Sequence, residues 1–179
     1  MGKVNNILIV CGVELDTPYG HILVYMDEPD EKILQINNLN ELLDYSKEHE
    51  YLTSIAHPYG NFLVLPFPIL KKKELIDKID AIEIINGRVS NRGNTLAYEL
   101  AVTLSKYFTG GSDAHLLSEV GNVGLMCYEN IDSFDDLINL IKHGKVKPYG
   151  RVRTYKVIAG ILKTSLLKPS RLLYRWLKY

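Results

Sequence analysis

A carboxylate and an imidazole stand two residues apart in Gly110-Gly111-Ser112-Asp113-Ala114-His115, directly after the β-prone run Tyr107-Phe108-Thr109. Carboxylate oxygen and neutral imidazole nitrogen both ligate zinc, manganese or iron, and the paired glycines allow the sharp turn that a strand-end site requires. By itself an Asp-x-His pair also describes an ordinary polar turn. Three further residues of the same chemistry add weight: Glu14, His21 in Gly20-His21-Ile22-Leu23, and His57 in Ala56-His57-Pro58. Each has a plainer reading, Glu14 as a loop carboxylate, His21 as an exposed strand-start residue, His57 as a hydrogen-bonded strand-end histidine. Their joint position is what points to a metal site, and that position depends on the elements that carry them.

The run Asn6 to Val13 is continuously apolar, as in strands buried on both faces, and ends at Gly12-Val13-Glu14. After a turn at Asp16-Thr17-Pro18-Tyr19-Gly20, His21 to Tyr25 reads as a second strand. Asn40 is placed to cap a helix with Leu39, Leu42 and Leu43 on one face, ending near His49. Tyr51 to Ala56 is strand-like and runs into His57, which the following proline biases toward extended backbone. Residues 61–70, with Pro66 and Pro68, read as a packed loop, and Lys71 to Ile79 as a short helix. A strand over Ala81 to Ile85 leads to the turn Asn86-Gly87-Arg88. Asn91 to Lys106 carries Leu96, Ala97, Leu100, Ala101 and Leu104 at helical spacing. Val123 to Cys127 is a strand, and Ser133-Phe134-Asp135-Asp136 is a capping box that opens a helix ending at Gly144.

Strands alternating with helices predict an α/β sheet or barrel with largely parallel strands. In such folds sites form where loops leave the carboxyl ends of the strands. Glu14, His57 and the Asp113-x-His115 pair each follow a predicted strand, which places them on one rim with Asn86 and Arg88. Glu83 falls inside an apolar strand, where a buried carboxylate needs a partner, and reads as structural. His49 and His143 are expected at the surface.

Composition sets the remaining bounds. The chain has 179 residues, 46% of them hydrophobic, enough for one domain with a real core. No apolar run approaches the roughly 20 residues of a spanning helix, and Met1 to Asn6 leads straight into a strand, so the expected location is cytoplasmic. Cys11 and Cys127 are isolated in β-prone segments and read as core residues rather than a disulfide or thiolate site. The net charge of zero is unevenly spread: residues 1–136 hold 21 acidic and 10 basic side chains, and residues 137–179 hold 11 basic and none acidic.

Taken as a set and in this order, Gly12-Val13-Glu14, Gly20-His21-Ile22-Leu23, Ala56-His57-Pro58, Ile82-Glu83 with Asn86-Gly87-Arg88, and Gly111-Ser112-Asp113-Ala114-His115 resemble the later motifs of the PHP (polymerase and histidinol phosphatase) family. The resemblance spans roughly residues 6 to 145 and implies a distorted (β/α) barrel that hydrolyses phosphoesters with bound divalent metal ions. Carried over by position, Glu14 would bridge two ions, His21 and His57 would complete one of those sites, Asp113 would reach the other, and His115 a third. Asp113 and His115 would serve the reaction, with Arg88, and less directly Asn86, near the substrate phosphate. Family members begin with a His-x-His strand followed by an Asp-His pair, and this chain has neither. The expectation is therefore an amino-terminally truncated PHP-like α/β domain over residues 1–147, a partial or distorted barrel whose open edge favours dimerisation.

The residues present suffice for one two-histidine, one-carboxylate site, for manganese, zinc or iron. The implied activity is hydrolysis of a phosphorylated small molecule or nucleotide by metal-activated water. The rival reading is a non-catalytic module that binds at most one metal and acts through its tail. That tail, residues 148–179, reads as a basic helical extension broken at Pro169, with Leu172, Leu173, Trp176 and Leu177 opposite Arg171, Arg175 and Lys178. Packing on the acidic body, an anionic lipid surface, or nucleic acid would each suit it.

Overall fold

The computed structural model describes residues 2–4, 7–60, 66–152 and 162. Its centre is a five-stranded sheet in the order β3-β4-β5-β6-β7, made of Cys11–Thr17, Gly20–Met26, Leu52–Ile55, Ala81–Asn86 and Tyr107–Gly111. Before it lie β1 (Gly2–Val4) and β2 (Ile7–Ile9), paired antiparallel as a separate hairpin. After it, β8 (Val123–Met126) and β9 (Lys147–Gly150) form another two-stranded sheet. The helices are α1 (Leu39–Glu48), α2 (Lys73–Lys78), α3 (Asn91–Thr103) and α4 (Phe134–Lys142).

The fold is mixed α/β, and the sheet is not closed. The expectation of largely parallel strands holds only for β5-β6-β7; β3-β4 and β4-β5 are antiparallel. The reason is local, because the short turn Pro18-Tyr19 can only fold β4 back on β3. Among the described residues, no strand pairs with the outer edge of β3.

Other expectations are corrected in detail. The apolar run from Asn6 is not one buried strand: it breaks at Val10, and Ile7 and Ile9 are 63% and 49% exposed. Glu14 is not at a strand end but in the middle of β3, opposite Leu23, since the ladder continues to Thr17. Asn38, not Asn40, caps α1; its side chain accepts from the N–H groups of Asn40 and Glu41. Ser133 does cap α4, accepting from Asp136 N at 3.1 Å. β9 straddles the expected start of the basic extension, and nearly all of that extension lies outside the described residues.

Strand alternation sorts the sheet into two faces. Ile22, Val24 and Met26 of β4 point to one side and join Ile55, Ile82 and Ile84 in a core closed by Leu39, Leu42 and Leu43 of α1, Leu75 and Ile76 of α2, and Ala101 of α3. Burying each of these large aliphatic side chains stabilises the fold by about 1.5–3 kcal/mol. The other face of β4 carries His21, Leu23 and Tyr25. A smaller core of Leu52, Phe134, Ile138, Leu140, Ile141 and Val146 covers one end of that second face. The polar end is left for the site.

Candidate metal centre

The β3-β4 hairpin pairs Asp16 with His21 and Glu14 with Leu23, so these four side chains share a face. That geometry turns the His21 ring onto Glu14, with Nδ1 2.6 Å from Oε1. β5 delivers the third group. Ala56 N donates to His21 O at 3.0 Å, which fixes the end of β5 beside the start of β4. His57 then projects over the sheet with Nε2 3.2 Å from the same Glu14 oxygen. One nitrogen of each imidazole and one carboxylate oxygen thus lie within 4.8 Å of one another.

Two imidazole nitrogens converging on one carboxylate oxygen need something positive between them, either protons or a cation. The electrostatics reflect this. The hydrogen bonds from His21 and His57 hold the Glu14 carboxyl far below its ordinary value, against a smaller opposing effect of burial. For His57, burial disfavours the imidazolium, but the hydrogen bond to Glu14 and the charges of Glu83, Glu14 and Asp113 outweigh it and raise the pKa. A two-histidine, one-carboxylate set partly open to solvent suits a divalent cation with free coordination positions.

Asp113 and His115 sit beyond β7 as a second pair. Their side chains approach to 3.5 Å, and His115 Nδ1 lies 3.0 Å from the Asp113 carbonyl. Asp113 is close enough to His57 and Glu14 for their charges to act on it, yet burial dominates and raises its carboxyl. The geometric triad contains neither residue. His115 is the most open of the five, its side chain 51% exposed. Arg88 is on the same rim but largely covered, with Nη1 3.4 Å from Glu119 Oε2. Asn86 is fully buried, its side chain bonded to Glu83, to Arg88 N and to the Asp113 carboxylate, so it is covered by protein groups rather than open to a substrate.

Several residues that shape the site are not evident from the sequence. The Phe67 ring packs on both histidines, its centroid 5.8 Å from that of His21 and 5.5 Å from that of His57. Gly20, at φ +121°, and Gly60 leave the space it occupies. Glu119 Oε2 accepts from His115 N at 2.8 Å and Leu116 N at 3.2 Å besides meeting Arg88, which ties the loop after the Asp-x-His turn to the rim. Nothing in its local sequence marks it out. Beneath the site Ser54 Oγ and Thr109 Oγ1 are 2.6 Å apart, and Tyr25 is bonded to Thr109, with burial and the Glu83 charge raising its pKa.

Comparison with known proteins agrees with this architecture. A family model described as PHP-associated matches residues 91–146, a segment that includes Asp113 and His115. An uncharacterised protein of Methanocaldococcus jannaschii is 32% identical over 115 residues, covering 59% of this chain and 48% of that protein. The chain therefore spans about half the length of this curated relative. PsfC from Pseudomonas syringae superposes with a TM-score of 0.65 at 18% identity, over 92% of this chain and 69% of PsfC. A two-domain Bacteroides vulgatus protein described as containing a predicted PHP-like metal-dependent phosphoesterase gives 0.63 at 14% identity, over 82% of this chain and 46% of that one. Among the described residues no helix is long and apolar enough to cross a membrane. The PHP-associated match thus falls on the segment that carries α3, the Asp-x-His turn, β8 and α4, and the two solved structures share the fold of the chain.

Proposed function

We propose that this chain is a metal-dependent phosphoesterase of PHP type, acting on a phosphorylated small molecule or nucleotide. The observation that carries the reading is the convergence of His21 Nδ1 and His57 Nε2 on one oxygen of Glu14. These three residues would hold a divalent ion such as manganese, zinc or iron. When bound, such an ion supplies Lewis acidity toward a phosphate ester and makes water a competent nucleophile. Glu14 orients both imidazoles and contributes the negative charge that selects a cation. Phe67 keeps bulk water from one side of the histidine rings. Asp113 and His115 border the place where a phosphate would enter, and Arg88 brings a guanidinium to that rim. In this reading residues 1–147 make up the PHP-like domain and residues 148–179 a basic extension.

The test is titration of the metal-free chain with manganese and with zinc, followed by phosphate release from a generic phosphomonoester by the loaded protein. About one equivalent of bound metal, lost in His57→Ala, together with hydrolysis abolished by the same substitution, supports the proposal. Binding without hydrolysis leaves a metal-binding module. An absence of saturable binding refutes the site.

A further inference from the structure

Two of the candidate site residues have a backbone that their side chains disfavour. His57 has φ +30° and Asp113 φ +48°, and neither is glycine. For His57 the conflict is sharper, because Pro58 favours an extended conformation at the preceding residue. Something must hold these two positions, and the same buried pair of residues touches both.

Glu83 lies in the middle of β6, only 5% exposed, between the core residues Ile82 and Ile84. Its Oε2 accepts the backbone N–H of His57 at 2.9 Å and the side-chain amide of Asn86 at 3.0 Å. Asn86, 1% exposed, ends the same strand. Its amide also reaches the Asp113 carboxylate. Asn86 is itself fixed: its Oδ1 accepts from Arg88 N at 2.8 Å, its N donates to Asn94 Oδ1 at 3.0 Å, and its carbonyl accepts from Asn94 Nδ2 at 3.1 Å. A carboxylate inside an apolar strand is costly to desolvate, and these bonds offset part of that cost. An apolar residue at position 83 would fill the same strand without that cost, but would leave the His57 N–H buried and unpaired.

Resting on the metal-centre reading above, we infer that Glu83 and Asn86 are positioning residues of that centre. They form a buried bridge on β6 that holds His57 and Asp113, at the ends of the two neighbouring strands, in the left-handed backbone from which His57 reaches Glu14 and Asp113 reaches Asn86. The bridge acts through the ligands and touches neither metal nor substrate. Outer residues of this kind typically contribute 10–100-fold to metal affinity.

Cobalt serves as the probe, because its visible absorption reports ligand geometry as well as occupancy. Glu83→Leu keeps the approximate bulk but offers no acceptor to either donor. The expected result is a 10–100-fold weaker cobalt affinity and an altered visible spectrum. Ile84→Val, on the same strand but facing the core, should lower unfolding stability while leaving affinity and spectrum as in the wild type. Should Glu83→Leu not fold, Asn86→Ser carries the same comparison. A folded variant with wild-type affinity and spectrum overturns the inference and leaves the centre intact. Failure of the wild-type chain to bind cobalt removes the centre itself.

Discussion

The bond between Glu14 and His57 allows a quantitative test in the metal-free protein. The perturbation is a double-mutant cycle of Glu14→Gln, His57→Asn and the pair, with asparagine chosen because it tolerates the positive φ at position 57. A hydrogen bond to a charged partner contributes about 1.5–3 kcal/mol. Here the separation is 3.2 Å, the Glu14 side chain is 40% exposed and that of His57 is 13% exposed. Screening on the Glu14 side brings the expected coupling to about 1 kcal/mol. The pH dependence follows from the two shifts. Glu14 is depressed below 4.5, so its stabilisation is present above that value and lost as pH falls through the folded pKa. His57 is raised above 6.5, so its contribution is complete below that value and lost as pH rises through the folded pKa. Coupling should therefore be largest between about pH 4.5 and 6.5, and should decline as pH rises through the folded pKa of His57 and the imidazolium is lost. Urea unfolding in the presence of chelator, at pH 6 and pH 9, measures it. A coupling that is absent at pH 6, or that grows toward pH 9, would refute the charge-assisted contact.

Two further substitutions probe the scaffold. A Cβ at Gly87 would run into the Ser112 carbonyl, across the bond from Gly87 N to Gly111 O at 3.0 Å, so Gly87→Ala should cost about 1–3 kcal/mol in urea unfolding; unchanged stability would mean that the two rim loops are not in close contact. Ser133→Ala removes the cap of α4 and should cost about 1 kcal/mol while leaving metal affinity untouched, read by the same unfolding curve and a titration.

The candidate site residues stood out in the chain because they are histidines and carboxylates in marked contexts. A histidine before proline and an Asp-x-His after two glycines signal strand ends whatever the fold does around them, and His57 and Asp113 do follow β5 and β7. The capping box at Ser133 is equally local, since one side chain answers one backbone donor. Strand direction was not legible. Apolar runs say that a strand is buried, but not which way its neighbour points, and the antiparallel half of the sheet moved Glu14 from a presumed strand end to the middle of β3. Glu83 shows the same division. Its sequence context shows only a carboxylate among isoleucines, which needs a partner. Of its partners, Asn86 is three residues along on the same strand, whereas the His57 N–H 26 positions earlier comes within reach only because β5 and β6 lie side by side. Residue type thus determined what chemistry was available here, and the pairing of distant strands decided which groups meet, because side-chain reach is a few ångströms and only the folded sheet brings the strands that close.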